Sequence, residues 1–177
     1  MYDIRKIQEQ VLYHAVKEVS DETTAQRIVM ANREDNPAWV KNTMKRLESN
    51  FDLSAVKQIR MHCQCGYGMD EKLALLKELM NSSSNPEEFA GQEKAKAAGL
   101  SYINGKVYLQ FPFCPCPMLA EVDRLETNTW CQCTTGYSKV LFEKAFGCEV
   151  DVELLKSVKM GDDVCLMSIS PLGTIRF

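Results

Sequence analysis

The stretch LSYINGKVYLQF, residues 100–111, divides a helix-like half of the chain from a half that reads mainly as strands. Asn104 and Gly105 stand between two runs of β-prone residues, which is a strong signal for a β-hairpin. The second run leads into FPFCPCP, residues 111–117, whose prolines remove backbone donors and stiffen the chain. Proline is also a common strand terminator. We therefore predict a hairpin that ends in a rigid segment bearing two cysteines.

Before residue 99, apolar residues recur at helical spacing. The two clearest stripes, both predicted to be core, are Ile4, Ile7, Val11, Ala15 and Val19, then Val40, Met44, Leu47 and Phe51. Asn36 is the predicted cap of the second of these helices, with Pro37 in its first turn. Further helices are predicted over 21–31, 53–61, 70–80 and 86–98, the last of them capped by Asn85.

After the hairpin, a helix is predicted over 134–146 and ends at Gly147. Strands over 150–154 and 164–169 then form a C-terminal hairpin with one solvated face. These elements predict a single α+β domain over residues 1–177. Its helical part, about 1–98, would pack on a small antiparallel sheet within a cysteine-rich part, about 99–177.

Charge and composition exclude several classes of function. The chain has 177 residues, a length that fits one domain. Its net charge is -3, and its Lys and Arg residues are scattered along the sequence, so we expect no nucleic-acid partner. The N-terminal residues lack an apolar leader, and no run is long and apolar enough to span a membrane. We expect a cytoplasmic protein with reduced cysteines and no membrane partner.

Three Cys-x-Cys pairs hold six of the eight cysteines. The pairs are Cys63 and Cys65, Cys114 and Cys116, and Cys131 and Cys133. On extended backbone, residues i and i+2 project from the same face and can reach one ion. A metal site is the favoured interpretation; redox or nucleophilic thiols and simple packing of buried cysteines are the alternatives.

Thiolates are soft ligands, and zinc is their default metal in a reducing compartment. A structural zinc site takes four ligands, so either one pair does not coordinate or the six thiols hold an iron–sulfur cluster. His62 is adjacent to Cys63, but we favour thiolates over this imidazole, and His14 is far away in sequence. Cys148 and Cys165, predicted on the two C-terminal strands, are interpreted as packing residues.

Thiol chemistry without a metal meets two difficulties. A disulfide within Cys-x-Cys closes a very small ring and would be easily reduced, which fits a catalytic or sensing bridge better than a structural one. The chain has only two histidines, and neither lies in a recognisable Cys/His signature. The sequence therefore identifies no catalytic residue, although a metal-activated water would not require histidine.

The C-terminal part, about Trp130 to Ile169, resembles the 4-vinyl reductase-type domain and the bacterial family named for aminothiazoline-carboxylate hydrolase. The motifs that carry the resemblance are WCQCTTGY at 130–137, Phe142-Glu143, Phe146-Gly147, VDVELLKS at 150–157 and GDDVC at 161–165, with Ile169 after them. The resemblance implies helices packed on an antiparallel sheet with a small-molecule pocket between them. It also implies a ligand-binding or sensory unit with cysteines suited to metal.

The predicted function is therefore a metal-binding domain, most simply a zinc domain, with a role in ligand binding or sensing. Whether the protein is an enzyme is left open. The alternatives are a metal- or thiol-dependent hydrolase of a small cyclic or sulfur-containing substrate and an iron–sulfur redox protein. A small-molecule ligand is the expected partner, and a homodimer is compatible with the sequence.

Overall fold

The computed structural model describes residues 3–30 and 33–177. Its contacts divide the chain into two compact units. The first consists of the described part of Met1–Cys65 together with Cys114–Gly136 and Lys159–Gly161, and the second of Gly66–Phe113, Tyr137–Val158 and Asp162–Phe177. The chain thus passes between the two units several times.

Four helices build most of the first unit: α1 (Ile4–Val19), α2 (Glu22–Val29), α3 (Asn36–Asn50) and α4 (Leu53–His62). Each begins after an aspartate whose carboxylate accepts the backbone N–H three residues later, namely Asp3, Asp21, Asp35 and Asp52. Such caps satisfy one of the donors that a helix leaves open at its N-terminus. Aspartate capping therefore marks where the helices of this unit start.

Two predictions in this region are wrong in detail. Asp35, not Asn36, caps α3, because Asn36 is already helical. The buried face of α1 consists of Gln8, Leu12, Ala15 and Val16, whereas Val19 is 58% exposed. Of the predicted helix over 21–31, the last residue, Ala31, lies outside the described residues.

The second unit contains α5 (Met69–Asn81), α6 (Pro86–Gly91) and α7 (Glu93–Ala97). The single helix predicted over 86–98 is broken at Gln92, whose backbone is extended at φ −66° and ψ 145°. The Gln92 side chain donates from Nε2 to the Leu79 carbonyl oxygen and the Ser83 hydroxyl, both at 2.8 Å. These bonds hold the break against the end of α5.

Antiparallel pairing joins four strands in the order β1-β2-β4-β3. The strands are β1 (Leu100–Ile103), β2 (Lys106–Phe111), β3 (Val150–Lys156) and β4 (Cys165–Pro171). Both predicted hairpins are present, and β2 pairs with β4 to join them in one sheet. The predicted α+β class is confirmed.

Cys148 lies before β3 rather than on a strand, because the turn after the last helix extends through it.

The longest helix of the cysteine-rich region, α8 (Gln132–Phe146), starts two residues earlier than predicted and is followed by Gly147 at φ +67°. Its C-terminal part belongs to the second unit, where Leu141, Phe142 and Phe146 pack with α5, α6 and the sheet. Its first turn belongs to the first unit. Within the described residues, no helix has the length and apolarity needed to cross a membrane.

Gly136, in the first turns of α8, lies directly against the end of α4. A Cβ atom placed on Gly136 would lie 2.6 Å from the Met61 carbonyl carbon and 2.7 Å from the Met61 Cα. Both distances are far inside van der Waals contact, and the neighbouring atoms are backbone, which cannot rotate away. Only glycine permits this approach of two helices.

We expect Gly136→Ala to lower the free energy of unfolding by about 3 kcal/mol, the upper range for overpacking, because α8 must shift away from α4. Gly91→Ala is the matched control, since no atom lies within 4 Å of the position that its new methyl group would occupy. That substitution should leave stability unchanged or raise it by up to about 1 kcal/mol. Denaturant unfolding of both variants makes the comparison. Equal effects would contradict the close packing.

Candidate metal centre

The first unit contains all six paired cysteines, whereas Cys148 and Cys165 belong to the second. Cys63 is the C-cap residue of α4, and Cys65 follows it. Cys114 and Cys116 lie after β2, where Cys116 precedes a short 3-10 helix at Pro117–Leu119. Cys131 immediately precedes α8, and Cys133 lies in its first turn. Three distant segments thus bring the pairs into one unit.

The same-face argument for each pair is wrong for two of the three pairs. Cys63 has φ −86° and ψ 38°, which is not extended backbone. Cys133 lies in a helix, where positions two residues apart are separated by about 200° around the axis. The extended-backbone rule therefore does not apply to Cys131 and Cys133. Packing of separate segments, rather than local spacing, decides which thiols meet.

Cys133 interacts with thiols from both other pairs. Its pKa is raised by the neighbouring thiols of Cys116, Cys63 and Cys65, which act on it electrostatically in addition to the larger effect of burial. Its Sγ also donates to the Cys63 carbonyl oxygen at 2.9 Å. We refer to Cys63, Cys65, Cys116 and Cys133, which these electrostatic interactions connect, as the four-thiol cluster.

Arg60 and Trp130 form the wall of the four-thiol cluster. The guanidinium of Arg60 lies over the Trp130 ring, 4.0 Å from its centroid, and its Nη2 donates to the Trp130 carbonyl oxygen at 3.0 Å. Both side chains are almost completely buried. Trp130 also packs edge to face against Trp39, with centroids 5.5 Å apart. A charged group is therefore fixed in an apolar, aromatic environment.

The loop before Trp130 is anchored from two sides. Glu48 of α3 accepts hydrogen bonds from the hydroxyls of Thr127 and Thr129, at 2.9 and 3.1 Å. The backbone N–H of Leu125 donates to the Lys159 carbonyl oxygen at 2.8 Å. These bonds fix the position of Trp130, and with it the start of α8.

N–H donors surround the thiols. Gln8 of α1 donates from Nε2 to the Cys63 carbonyl oxygen at 3.3 Å and lies 3.9 Å from the Cys133 Sγ. Burial raises the pKa of Cys63 and of Cys116, but the charge of Arg60 lowers the pKa of Cys63, and a hydrogen bond from the backbone N–H of Met118 lowers that of Cys116. Donors of this kind stabilise sulfur in the thiolate form.

Several buried polar atoms near the four-thiol cluster lack a hydrogen-bond partner within the described residues. They are Gln8 Oε1, Arg60 Nε and Nη1, Trp130 Nε1, Gln132 Oε1 and Thr135 Oγ1. Buried polar groups are normally satisfied, so a concentration of exceptions in one place marks an environment built for another charged or polar group. Arg60 Nε, Arg60 Nη1 and Trp130 Nε1 are therefore donors that remain available to an acceptor brought within reach.

Burial opposes that ionisation in the absence of a cation. Desolvation is the largest influence on three of the four thiols: it raises the pKa of Cys63 and of Cys116, and it raises that of Cys133 to about 12. Arg60 lowers all three pKa values but does not reverse the shifts. A divalent metal would supply the missing positive charge.

The donor set fits zinc in number and type, because four thiolates complete a tetrahedral structural site. Within residues 3–30 and 33–177, however, no group of three or more His, Cys, Asp or Glu side chains is already arranged to hold a metal ion. The thiols of Cys63 and Cys133 instead donate to the carbonyl oxygens of Ile59 and Cys63. Metal binding would require both to give up these protons and reorient.

Sequence reasoning missed Arg60, Trp130 and Gln8, although a signal for Arg60 exists. Val56, Ile59, Arg60 and Cys63 follow the i, i+3, i+4, i+7 pattern of one helix face, and all four are buried. An arginine within an apolar stripe that leads to a cysteine indicates a functional charge. His62 falls off this face and is exposed.

In the metal-free protein, we expect Cys133 to stay protonated at neutral pH and to react with an alkylating agent only as the pH approaches about 12. The denatured chain is the reference, since its thiols titrate near the ordinary value of 9.0. Because the folded state holds this proton more tightly, the free energy of unfolding should also fall as the pH rises between these two values. Peptide-resolved mass spectrometry measures the alkylation. Identical pH profiles for folded and denatured Cys133 would contradict the burial of this thiol.

Residues 1–176 match a family of unknown function, DUF6144. No curated protein and no solved structure matches the chain. Since the match extends over all but the last of its 177 residues, the chain belongs to the DUF6144 family.

Proposed function

We propose that this protein binds one zinc ion through the thiolates of Cys63, Cys65, Cys116 and Cys133. The observation that carries the proposal is the junction where the Cys133 thiol donates to the Cys63 carbonyl oxygen, beside a buried arginine that has no carboxylate partner among the described residues. In this proposal, one complete Cys-x-Cys pair contributes to the four-coordinate ion, and each of the other two pairs contributes one residue. Cys114 and Cys131 are the two not assigned to the zinc.

Four protein ligands leave no coordination position for water. A closed site supports folding or metal-dependent sensing rather than hydrolysis, so the hydrolase alternative receives no support from this ligand set. Four thiolates also suit an iron–sulfur cluster. The identity of the metal separates these proposals, because zinc thiolates are colourless and iron–sulfur clusters absorb visible light. The reduced thiols that either centre requires support a cytoplasmic location.

The test of the metal is elemental analysis and an optical spectrum of protein purified without oxygen. We expect about one zinc per chain and no visible absorption. If the protein contains iron and shows broad visible absorption, the centre is an iron–sulfur cluster and not a zinc site. Absence of any transition metal, even after the reduced protein is offered zinc, would contradict it.

The test of the ligand set compares Cys133→Ser with Cys148→Ser. We expect Cys133→Ser to weaken zinc binding at least about tenfold, because a thiolate ligand is lost. Cys148 lies in the second unit and should be replaceable without any change in zinc content. Zinc competition with a chromophoric chelator measures both. Equal zinc retention by the two variants would remove Cys133 from the site.

We also propose that the protein binds a small apolar ligand, and a groove in the second unit supports this role. Phe111, Pro112 and Phe113 line it together with residues 96–101, around a space of about 650 Å³. The rings of Phe111 and Phe113 lie 6.1 Å apart, and Phe113 is 59% exposed. An exposed aromatic pair of this kind is a common feature of surfaces that bind apolar molecules.

Binding of an environment-sensitive apolar dye tests the groove. We expect the dye to bind the wild-type protein and to lose most of its fluorescence with Phe113→Ser, because one wall of the groove is removed. Leu172→Ser is the matched control, since Leu172 is an equally exposed apolar residue (62%) that does not line the groove. Equal loss of dye with both variants would show that the dye reports general apolar exposure.

A further inference from the structure

Arg60 occupies a position that the fold alone does not explain. It lies in the last turn of α4 and is 0% exposed. Its Nη2 donates to the Trp130 carbonyl oxygen, whereas neither Nε nor Nη1 has an acceptor among the described residues. None of the ion pairs formed by the described residues includes it. A buried, unpaired guanidinium is strongly unfavourable and calls for a compensating negative charge.

A second arginine shows how this unit treats the same side chain elsewhere. Arg5 also stacks on a tryptophan, 4.2 Å from the centroid of Trp39. Arg5 is paired with Glu9 at 2.6 Å and donates to Asn36 at 3.1 Å. Arg60 has no such side-chain oxygen acceptor among the described residues, and its charge acts instead on nearby thiols, including those of Cys63 and Cys133. The sulfurs are the groups available to balance its charge.

A four-thiolate zinc centre carries two more negative than positive charges, because four thiolates surround a divalent ion. Burying such a centre is costly unless nearby donors and cations compensate it. A guanidinium offers both a full positive charge and N–H groups of fixed direction. Its Nε and Nη1 are the two donors that remain open among the described residues.

We propose that Arg60 is the counter-ion of the thiolate centre: its Nε and Nη1 groups donate to the metal-bound sulfurs, including that of Cys63, and offset their excess negative charge. This inference rests on the proposed zinc site and adds a positioning residue to it. Trp130 holds the guanidinium plane in place by stacking. Loss of the charge should therefore weaken the metal centre even when the packing is kept.

The test compares Arg60→Met with Arg5→Met. Methionine keeps an unbranched apolar chain of similar length against the tryptophan but removes the charge and the donors. We expect Arg60→Met to weaken zinc binding about 10- to 100-fold, the usual cost of losing a partner of metal ligands. Arg5→Met should bind zinc as tightly as the wild type does. Arg60→Lys, which restores charge without the planar fork, should recover part of the loss.

A second readout separates this role from a purely structural one. In the zinc-loaded, folded protein, thiolates that have lost N–H donors should react faster with an alkylating agent, so Arg60→Met should raise this rate at least several-fold. A residue that only fills space would leave it unchanged. Unchanged affinity together with an unchanged alkylation rate would overturn the proposal.

If Arg60→Met does not fold, the counter-ion role is tested by nuclear magnetic resonance on the wild-type protein loaded with cadmium-113. A scalar coupling between the metal and the Nε or Nη1 proton of Arg60 would demonstrate an N–H···S–metal hydrogen bond directly. Absence of that coupling, with rapid exchange of the Arg60 protons with water, would overturn the proposal. If the wild-type protein binds neither zinc nor cadmium, both the zinc site and the counter-ion role are overturned. If it binds metal normally but Arg60 makes no contribution, only the counter-ion role is overturned.

Discussion

The close approach of α8 to the end of α4 is the constraint on which the rest of the first unit depends. Gly136 lets the backbone of one helix lie directly on Met61 of the other, so the last turn of α4 and the first turn of α8 are held together. Cys63 lies just after that last turn, and Cys133 lies in that first turn. A single missing Cβ atom therefore brings together cysteines separated by 70 positions in sequence.

Electrostatics gives this junction its chemical character. Burial alone would keep the thiols protonated and would leave the Arg60 guanidinium uncompensated, which is unfavourable in an apolar interior. In the proposed metal–thiolate centre, the metal displaces the thiol protons and the excess thiolate charge balances the guanidinium. Gln8 adds a donor to this junction, since its Nε2 lies 3.9 Å from the Cys133 Sγ. We therefore propose one charge-balanced unit rather than four ligands alone.

The sequence predicts much of the fold because its local signals are strong. Asn104-Gly105 predicts the β1–β2 hairpin, and the apolar period of α3 predicts three of its buried residues, Val40, Met44 and Leu47. The α1 face is mispredicted because Gln8 is buried while Val19 is exposed, and a hydrophobicity pattern assigns both to the wrong side. The pairing of β2 with β4 joins segments more than 50 residues apart, which no local pattern encodes.

The candidate site is predictable only in part for a related reason. Cys-x-Cys spacing identifies the thiols, but the choice among them depends on helix direction at Cys133 and on the Gly136 contact, both of which are tertiary features. Motif analysis does not identify Arg60, because this residue belongs to no motif. It becomes informative only when its burial and its lack of a carboxylate partner among the described residues are known together.

X-ray absorption spectroscopy at the zinc edge, on protein loaded with one equivalent of zinc, is the decisive test of the proposed four-thiolate centre. We expect a first shell of about four sulfur atoms at about 2.3 Å, without oxygen or nitrogen. In Cys114→Ser this shell should be unchanged, whereas in Cys116→Ser one sulfur should be lost. A shell of nitrogen and oxygen atoms in the wild type, or loss of sulfur in Cys114→Ser but not in Cys116→Ser, would contradict the proposed four-thiolate centre.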